Sequence, residues 1–274
     1  MKLEQKLATR TVHHVHVTLK SCLGAAVRKG LIAANPAERA EAPSPGDSQA
    51  AQVLDAEQLK ALVQGFRHST LYPIVAMAAF TGARRNEILA LRWTDLDVEK
   101  KTLRIERAIE ETKAFGRVVK EPKSARGRRT IQIDDDLIAL LLGEREKHLR
   151  IKAGIPDGAA AIDLSLVKLP PGALMFPSSA GDSFDFTRLR DPHAVTREFC
   201  RQARKRGFAK LRFHDLRGSH ETALLDAGVP VHTVASRCGH DPAVLLRTYA
   251  KRTTKGDTSA AAAIGALLKG ALGD

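Results

Sequence analysis

The residues with the clearest potential for chemistry fall in one stretch towards the end of the sequence. His214 and Arg217 stand three positions apart, a spacing that places both on one face of a helix. His240 and Tyr249 follow, nine positions apart. Arginine presents a planar, permanently charged fork that suits a phosphate, and imidazole can take or give a proton near neutral pH. These residue types at this spacing predict chemistry on a phosphate group.

A second arginine, Arg84, lies far upstream, after a Thr81-Gly82 turn and three positions before Glu87. When a phosphodiester is transferred to a hydroxyl, negative charge builds on its non-bridging oxygens, and a pair of arginines can stabilise that charge. A tyrosine phenol ionises near pH ~10, so attack by Tyr249 at neutral pH requires a nearby base or positive charge. We predict that Arg84 and Arg217 bind the phosphate under attack, and that Glu87 orients Arg84.

The order of these segments resembles the signature motifs of the tyrosine recombinases, the phage-integrase family. The similarity covers about Leu54 to Lys251 and rests on four motifs: Thr81-Gly-Ala-Arg84-Arg-Asn-Glu87, His214-Asp-Leu-Arg217, Cys238-Gly-His240 and Thr248-Tyr249. Lys123, in a turn between two predicted strands, stands where that family carries a catalytic lysine. The resemblance implies a catalytic set of Arg84, Lys123, His214, Arg217, His240 and the nucleophile Tyr249.

The resemblance also implies the course of the reaction. A covalent 3′-phosphotyrosyl intermediate forms while Lys123 protonates the departing 5′ oxygen, and the freed 5′-hydroxyl of another strand then reverses the attack. Neither a metal nor another cofactor takes part, and the sequence has no Gly-Lys-Ser/Thr phosphate loop. His220-Glu221 begins a zinc-protease motif, but Leu224 stands where its second histidine belongs. We therefore predict no cofactor, no chemical role for His220 and a structural role for Asp215.

The charge balance predicts a nucleic-acid partner. Lys and Arg number 44 against 31 Asp and Glu, which gives a net charge of +13 and attracts polyanions such as double-stranded DNA. Because no segment approaches the roughly 20 apolar residues of a membrane span and no secretory signal is readable, we expect a cytoplasmic protein. Two groups of cations are candidate phosphate contacts: Arg126, Arg128 and Arg129 near Lys123, and Arg201, Arg204, Lys205, Lys210 and Arg212 before His214. Such contacts carry no information about the target site.

Helical patterns place several of these residues. Apolar residues at four-residue intervals predict a helix over Thr11–Leu31, and Asp55 with Gln58 forms a capping box that starts another. A helix over Leu71–Phe80 should end at the Thr81-Gly82 turn, and a third should run from Arg84 towards Trp93. Further helices are predicted over Asp134–Leu149, from Pro192 to Gly207, His214–Ala227, Val231–Cys238 and Pro242–Tyr249.

Between these helices, alternating apolar residues predict three strands. They lie around Leu103–Ile109, Val118–Val119 and Ile131–Ile133, and Ala153–Asp185 has the composition of a loop. The predicted fold class is therefore mainly α with a small antiparallel β-sheet (α+β). By resemblance it is the tyrosine recombinase catalytic-domain fold, preceded by a truncated helical domain.

The segment EAPSPGDS, from Glu41 to Ser48, has the composition of an extended linker. Residues 1–45 are predicted to be the C-terminal part of a helical core-binding domain plus this linker, and residues 46–274 the catalytic domain. The apolar, alanine-rich segment Ala260–Leu272 predicts a C-terminal exchange helix. By resemblance it docks on a neighbouring protomer of a homo-tetramer on DNA.

The function expected from these observations is that of a site-specific DNA recombinase or integrase. Two other functions stay open: a catalytically idle DNA-binding remnant of a recombinase, and a type IB-like topoisomerase. Individual residues also have simpler interpretations. Arg84 and Glu87 could form a surface salt bridge, the basic turn around Lys123 could contact DNA backbone, and Tyr249 could anchor a helix end.

Overall fold

The computed structural model describes residues 7–42, 44, 52–112, 114–121, 127–156, 163–178, 184–249, 264 and 266. The chain divides into two compact units, Met1–Ala50 and Ala51–Asp274. The linker composition predicts a division after residue 45, and most of that linker lies outside the described residues. In the part of the chain that is described, no helix combines the length and apolar character needed to cross a membrane.

The first unit contains a long helix, α1 (Thr9–Arg28), followed by a single 3-10 turn over Pro36–Glu38. Asn35 joins the two, because its side-chain amide donates to the carbonyl of Lys20 at 2.9 Å and its oxygen accepts from the Ala37 backbone at 3.0 Å. The helix agrees with the predicted one to within three residues at each end. The interpretation of this unit as part of a core-binding domain stays a prediction.

The second unit begins with α2 (Ala56–Gly65) and α3 (Tyr72–Thr81). The predicted capping box is present: the carboxylate of Asp55 accepts from the Gln58 backbone at 2.8 Å, and the Gln58 side chain accepts in return from Asp55 at 3.2 Å. Helix α3 is buried along almost its whole length and ends at Gly82, where φ is 62°. Its position makes it the centre of the hydrophobic core.

The helix that follows, α4, covers Arg85–Ile88, so the expectation that it runs towards Trp93 is wrong. Beyond α4 the backbone forms hydrogen bonds with a distant segment of the chain. The Trp93 amide donates to the carbonyl of Ala173 at 3.1 Å, and Leu91 accepts from Met175 at 2.8 Å. The apolar residues of this stretch therefore pack against a distant segment rather than continue the helix.

The strands are β1 (Leu96–Asp97), β2 (Thr102–Ile105), β3 (Ala108–Thr112), β4 (Gly116–Lys120) and β5 (Arg129–Gln132). They form two antiparallel sheets within the described residues, in the orders β1-β2-β5 and β3-β4. The single strand predicted over Leu103–Ile109 is thus two strands, because Leu103 pairs with Ile131 in one sheet and Ile109 with Val119 in the other. Lys123 lies between β4 and β5 in the sequence, outside the described residues.

Five helices complete the described part of the second unit: α5 (Asp135–Lys152), α6 (Pro192–Lys205), α7 (Asp215–Asp226), α8 (Val231–Cys238) and α9 (Pro242–Tyr249). Their bounds match the predicted ones closely. Phe199 of α6 stacks on Phe66 at a centroid distance of 5.4 Å and meets Phe213 edge-on at 5.2 Å, which ties the second half of the unit to the first. The mainly α fold class with small antiparallel sheets is confirmed.

Candidate active site

Three arginine side chains converge on the C-terminal end of α8. The carbonyls of residues 237, 238 and 239 accept in turn from Arg129, Arg217 and Arg84, with an Nε–O distance of 2.7 Å for the first and an Nη2–O distance of 3.3 Å for the last. Carbonyls at a helix C-terminus lack partners within the helix and carry the negative end of its dipole. Helix α8 therefore gathers three cations from distant parts of the sequence.

Arg217 is the more deeply buried of the two arginines that are predicted to bind phosphate. It lies in the first turn of α7 with its side chain 3% exposed, and its Nη1 donates to the carbonyl of Gly82 at 2.7 Å. Gly82 is needed there, because a Cβ would lie 2.6 Å from the His220 ring and 2.9 Å from the Cys238 sulfur. Burial lowers the pKa of Arg217, yet a guanidinium stays charged at any physiological pH.

Arg84 precedes α4 and contacts Glu87, as predicted. Its Nη1 lies 2.8 Å from Oε1 of Glu87, and its backbone amide donates to Oε2 at 2.9 Å. The Arg84 side chain is 40% exposed while that of Glu87 is 4% exposed. Burial alone would raise the pKa of Glu87, but hydrogen bonds from Arg129 and Arg84 hold that pKa below its ordinary value. Glu87 is therefore a buried, ionised carboxylate that holds the guanidinium of Arg84, which itself reaches solvent.

His240 lies beside Arg217 and a carboxylate that the sequence reasoning missed. Its Nε2 is 3.1 Å from Nε of Arg217 and 2.8 Å from Oε1 of Glu221. Glu221 also approaches Nε of Arg217 at 3.2 Å, one helical turn after it. The spacing of four positions between Arg217 and Glu221 is the sequence signal for this contact, because it places both side chains on one face of a helix. The Nδ1 of the buried His220 donates to the carbonyl of Ala79 at 2.8 Å, which agrees with a packing role.

His214 immediately precedes α7 and its side chain reaches solvent. Partial desolvation, together with the charge of Arg217, lowers the pKa of His214. At pH 7 its imidazole is therefore neutral and able to accept a proton. The contacts of Asp215 agree with the predicted structural role. Its carboxylate accepts hydrogen bonds from Nη2 of Arg212 at 2.7 Å and from the Arg212 backbone amide at 2.9 Å.

Tyr249 is placed apart from the arginines. It ends α9, and its hydroxyl donates to Oδ1 of Asp226 at 2.9 Å. Asp226 is the last residue of α7, whereas Arg217 lies in the first turn of the same helix, roughly 13 Å away along the axis. The structure thus brings together Arg84, Arg217 and His240, but it holds the hydroxyl of Tyr249 elsewhere.

The predicted DNA contacts divide into groups. Arg126 lies outside the described residues, as does Lys123, the predicted catalytic lysine. Arg204, Lys205 and Lys210 are exposed, whereas Arg201, Arg212 and Arg128 are exposed but paired with Glu198, Asp215 and Glu121. Arg129 corrects the sequence prediction: its side chain is 6% exposed and pairs with Glu87, so its guanidinium is not available to a DNA phosphate.

Two cavities flank these residues. One, of about 340 Å³, opens beside His240 and is lined by Arg128, His232 and Ser236 among others. The other is an apolar groove of about 710 Å³ on α2, α3 and α5, to which Leu59, Val63 and Leu140 contribute. His240, whose side chain is 24% exposed, lines the first. None of the predicted catalytic residues lines the second, although Ala223 of α7 contributes to it.

The family model described as the phage integrase family matches residues 52–255, and the chain belongs to that family. It is 25% identical to a "Tyrosine recombinase XerC-like" protein of Caldanaerobacter subterraneus subsp. tengcongensis over 86% of this chain and 61% of that protein. It is 26% identical to the "Putative prophage phiRv2 integrase" of Mycobacterium tuberculosis over 86% and 56%. The chain thus spans about three fifths of the length of these relatives.

Solved structures show the same fold. The Tn1549 transposon integrase in complex with a circular intermediate DNA superposes with a TM-score of 0.72 at 17% identity, covering 95% of this chain and 81% of that one. Lambda integrase residues 75–356 bound to DNA give a TM-score of 0.57 at 15% identity, covering 93% and 79%. At these identities the likeness establishes the tyrosine recombinase catalytic fold and nothing finer.

Proposed function

We propose that this protein is a site-specific DNA recombinase or integrase that cleaves and rejoins DNA strands through a covalent 3′-phosphotyrosyl intermediate. The observation that carries the proposal is the convergence of Arg84 and Arg217 on the end of α8, beside His240. Fixed cations arranged around one point suit the charge that develops on a phosphodiester during transfer. Relatives named recombinases and integrases, and the DNA in the Tn1549 and lambda structures, support double-stranded DNA as the substrate.

The proposed chemistry assigns one event to each residue. The Tyr249 oxygen attacks phosphorus as the bond to the 5′ oxygen breaks, while Arg84 and Arg217 hold the non-bridging oxygens. Neutral His214 is the candidate acceptor of the phenolic proton, and Lys123 the candidate donor to the 5′ oxygen. Attack by a 5′-hydroxyl on the phosphotyrosine returns the tyrosine unchanged. No net bond energy is lost, and the reaction is expected to take place in the cytoplasm.

The contact between Tyr249 and Asp226 sets a condition on this scheme. Because that hydroxyl is hydrogen-bonded at the far end of α7, α9 must shift before the oxygen can reach the phosphate. We propose that DNA binding drives this shift. The same contact is the one observation that favours the idle, DNA-binding alternative, so the test must report on covalent chemistry itself.

The test uses nicked suicide duplexes with a randomised core, from which a short 5′-hydroxyl fragment diffuses away after cleavage. The full chain is incubated with this pool, covalent adducts are isolated under denaturing conditions, and their DNA is sequenced to give a defined duplex. Adducts should form with the wild-type chain and with Tyr72→Phe, the other tyrosine, but not with Tyr249→Phe. Absence of any adduct, or its persistence in Tyr249→Phe, would overturn the proposal.

The remaining alternatives give different results with the same materials. An idle remnant binds duplex DNA at low salt and yields no adduct. A topoisomerase relaxes a plasmid of arbitrary sequence and shows no enriched sequence among its adducts. A recombinase yields adducts enriched in one sequence and joins two duplexes that carry it.

We also propose that copies of the chain assemble on DNA as a homo-tetramer in which the C-terminal helix docks in trans. Of the predicted helix Ala260–Leu272, the described residues Ile264 and Ala266 are helical and exposed. The apolar groove on α2, α3 and α5 is a candidate acceptor for such a helix. Ile264→Asp and Leu59→Glu should each prevent assembly on the recovered duplex, and mixing the two variants should restore it in part. No restoration on mixing would indicate docking within one chain.

A further inference from the structure

We propose that Arg129 is a positioning residue of the strand-cleavage reaction, which holds Arg84 through Glu87 and the turn before His240 through the carbonyl of Arg237. The inference rests on the proposed function, because it assigns a task within that active site. It replaces the expectation that Arg129 contacts DNA.

The contacts of Arg129 are directed entirely into the protein. Its Nη2 lies 2.8 Å from Oε2 of Glu87 and its Nη1 3.3 Å from Oε1, which makes the pair bidentate. Its Nε donates to Arg237 at 2.7 Å, and its Nη1 also donates to the carbonyl of Gly127 at 3.2 Å. A planar fork can make this set of bonds, whereas the single ammonium of a lysine cannot.

Charge makes Arg129 more than a packing residue. Glu87 carries one negative charge, and Arg84 alone would only cancel it. With Arg129 on its other side, the group of two arginines and one glutamate keeps a net charge of +1, which is available to a phosphate. Replacing Arg129 with a neutral residue leaves a net charge of zero next to the reacting group, so phosphate binding in the transition state must weaken.

Burial fixes the direction of this effect. Glu87 and Arg129 are 4% and 6% exposed, whereas Arg84 is 40% exposed, so the first two form a base from which Arg84 extends. A buried carboxylate that loses one partner draws more strongly on the one that remains, because an unpaired buried charge is costly. Without Arg129, the guanidinium of Arg84 is expected to be drawn inward, away from the phosphate.

The second attachment reaches the other half of the cluster. Arg129 opens β5, where it pairs with Ile105 of β2, so its backbone is fixed by the three-stranded sheet. From there its side chain binds the carbonyl of residue 237, and the next two carbonyls bind Arg217 and Arg84. The guanidinium of Arg129 therefore helps to set the distance between the sheet and the turn that leads to His240, together with Arg237, whose Nη1 donates to the carbonyl of Gln132 in β5 at 2.8 Å.

The experiment measures single-turnover adduct formation on the duplex recovered from the randomised pool, at a temperature where thermal unfolding shows every variant to be folded. Arg129→Gln removes the charge and the bonds, and Arg129→Lys keeps the charge alone. Arg104→Gln is the matched control, because this arginine of β2 also pairs with a buried carboxylate, that of Asp95, which keeps Arg107 as a partner. Its rate should stay within about 2-fold of wild type.

For Arg129→Gln we expect the rate at saturating duplex to fall by about 10- to 100-fold, the size of effect that misplacement of a reacting group produces. The duplex concentration at half-maximal rate should change by less than about 3-fold, since the residue acts on the transition state. Arg129→Lys should recover part of the rate. Arg204→Gln, at an exposed predicted DNA contact, should show the reverse pattern, with weaker binding and a nearly unchanged rate.

Two results would overturn the inference. One is an Arg129→Gln chain that unfolds at a lower temperature but, while folded, reacts at the wild-type rate, which assigns the residue to stability alone. The other is a change confined to duplex affinity, which returns Arg129 to DNA binding. Failure of the proposed function is distinct from both, because the wild-type chain then forms no adduct at all.

Discussion

The two halves of the proposed active site are held in contrasting ways. Arg217 is buried and bonded to the protein through all three of its guanidinium nitrogens, and Arg84 rests on the buried pair of Glu87 and Arg129. The hydroxyl of Tyr249, by comparison, makes one exposed hydrogen bond to Asp226 at the end of a short helix. The half proposed to bind phosphate is already assembled, while the proposed nucleophile is held at a distance.

This difference indicates where the protein controls its chemistry. A preorganised anion site costs nothing to assemble when DNA arrives, so it supplies rate enhancement at once. Breaking the surface hydrogen bond of Tyr249 costs only about 1 kcal/mol. A shift of α9 must also disturb the packing of Leu245 against Val234 and Ala235, a cost that DNA binding has to supply in the proposed reaction. The arrangement allows cleavage to depend on the assembled complex.

The largest expected effect comes from replacing Arg217, the buried arginine of the proposed phosphate-binding site. Arg217→Lys keeps a positive charge but cannot reach Gly82, Cys238 and His240 together, so adduct formation should fall by at least about 100-fold. Rapid-quench measurement on the recovered duplex checks this. Arg145→Lys, at an exposed position on α5, serves as the control. A loss of less than tenfold would mean that Arg217 holds the fold rather than the phosphate.

Replacing Gly82 and Gly116 with alanine separates the cost of steric crowding near Arg217 from the cost of backbone strain. Gly82 and Gly116 both have φ of 62°, but a Cβ on Gly82 meets His220 and Cys238, whereas one on Gly116 meets nothing within 4 Å. Gly116→Ala should lower the free energy of unfolding by about 1 kcal/mol, and Gly82→Ala by roughly 2–4 kcal/mol. Urea unfolding of both variants measures the difference. Equal losses would show that the crowding of a Cβ against His220 and Cys238 adds nothing to the cost of backbone strain.

Acid should lower the free energy of unfolding through His220, the buried histidine that packs against Gly82. Burial lowers the pKa of His220 to about 4, so the unfolded chain binds a proton more readily than the folded one between pH 6.5 and 4. The free energy of unfolding should therefore decrease as the pH falls through this range, with a contribution from His220 of up to about 3 kcal/mol. His220→Gln should remove this contribution, while His148, whose pKa burial also lowers to about 4, retains its own. His68→Gln, at an exposed site, should leave the slope unchanged.

The smallest effect concerns the tyrosine. Asp226→Ala removes the partner of the Tyr249 hydroxyl, and because a single exposed hydrogen bond contributes about 0.5–1.5 kcal/mol, adduct formation should accelerate by about 2- to 10-fold. Stopped-flow or rapid-quench rates at saturating duplex test it, with Glu146→Ala on α5 as the control for loss of an exposed acid. An unchanged rate would mean that release of Tyr249 does not limit cleavage.

Much of the architecture was predictable because its signals are local. The capping box of Asp55 and Gln58, the end of α3 at Gly82 and the bounds of α7 to α9 all follow from residues within a few positions of one another. The length of α4 did not follow, since Leu91 and Trp93 are bonded to residues 173–175. Nor did the division of the strands into two sheets, which depends on distant pairing partners.

The sequence by itself determined the family, the mainly helical fold and the identity of the residues proposed for catalysis, because motif order and helical periodicity survive without a third dimension. The tertiary structure alone decided how those residues are held. The bonds that gather the three arginines on the end of α8 join Arg84 to Gly239 across 155 positions, Arg129 to Arg237 across 108 and Arg217 to Cys238 across 21. A further bond joins Arg217 to Gly82 across 135 positions. Whether an arginine faces DNA or a buried glutamate depends on such long-range partners, and local sequence does not encode them.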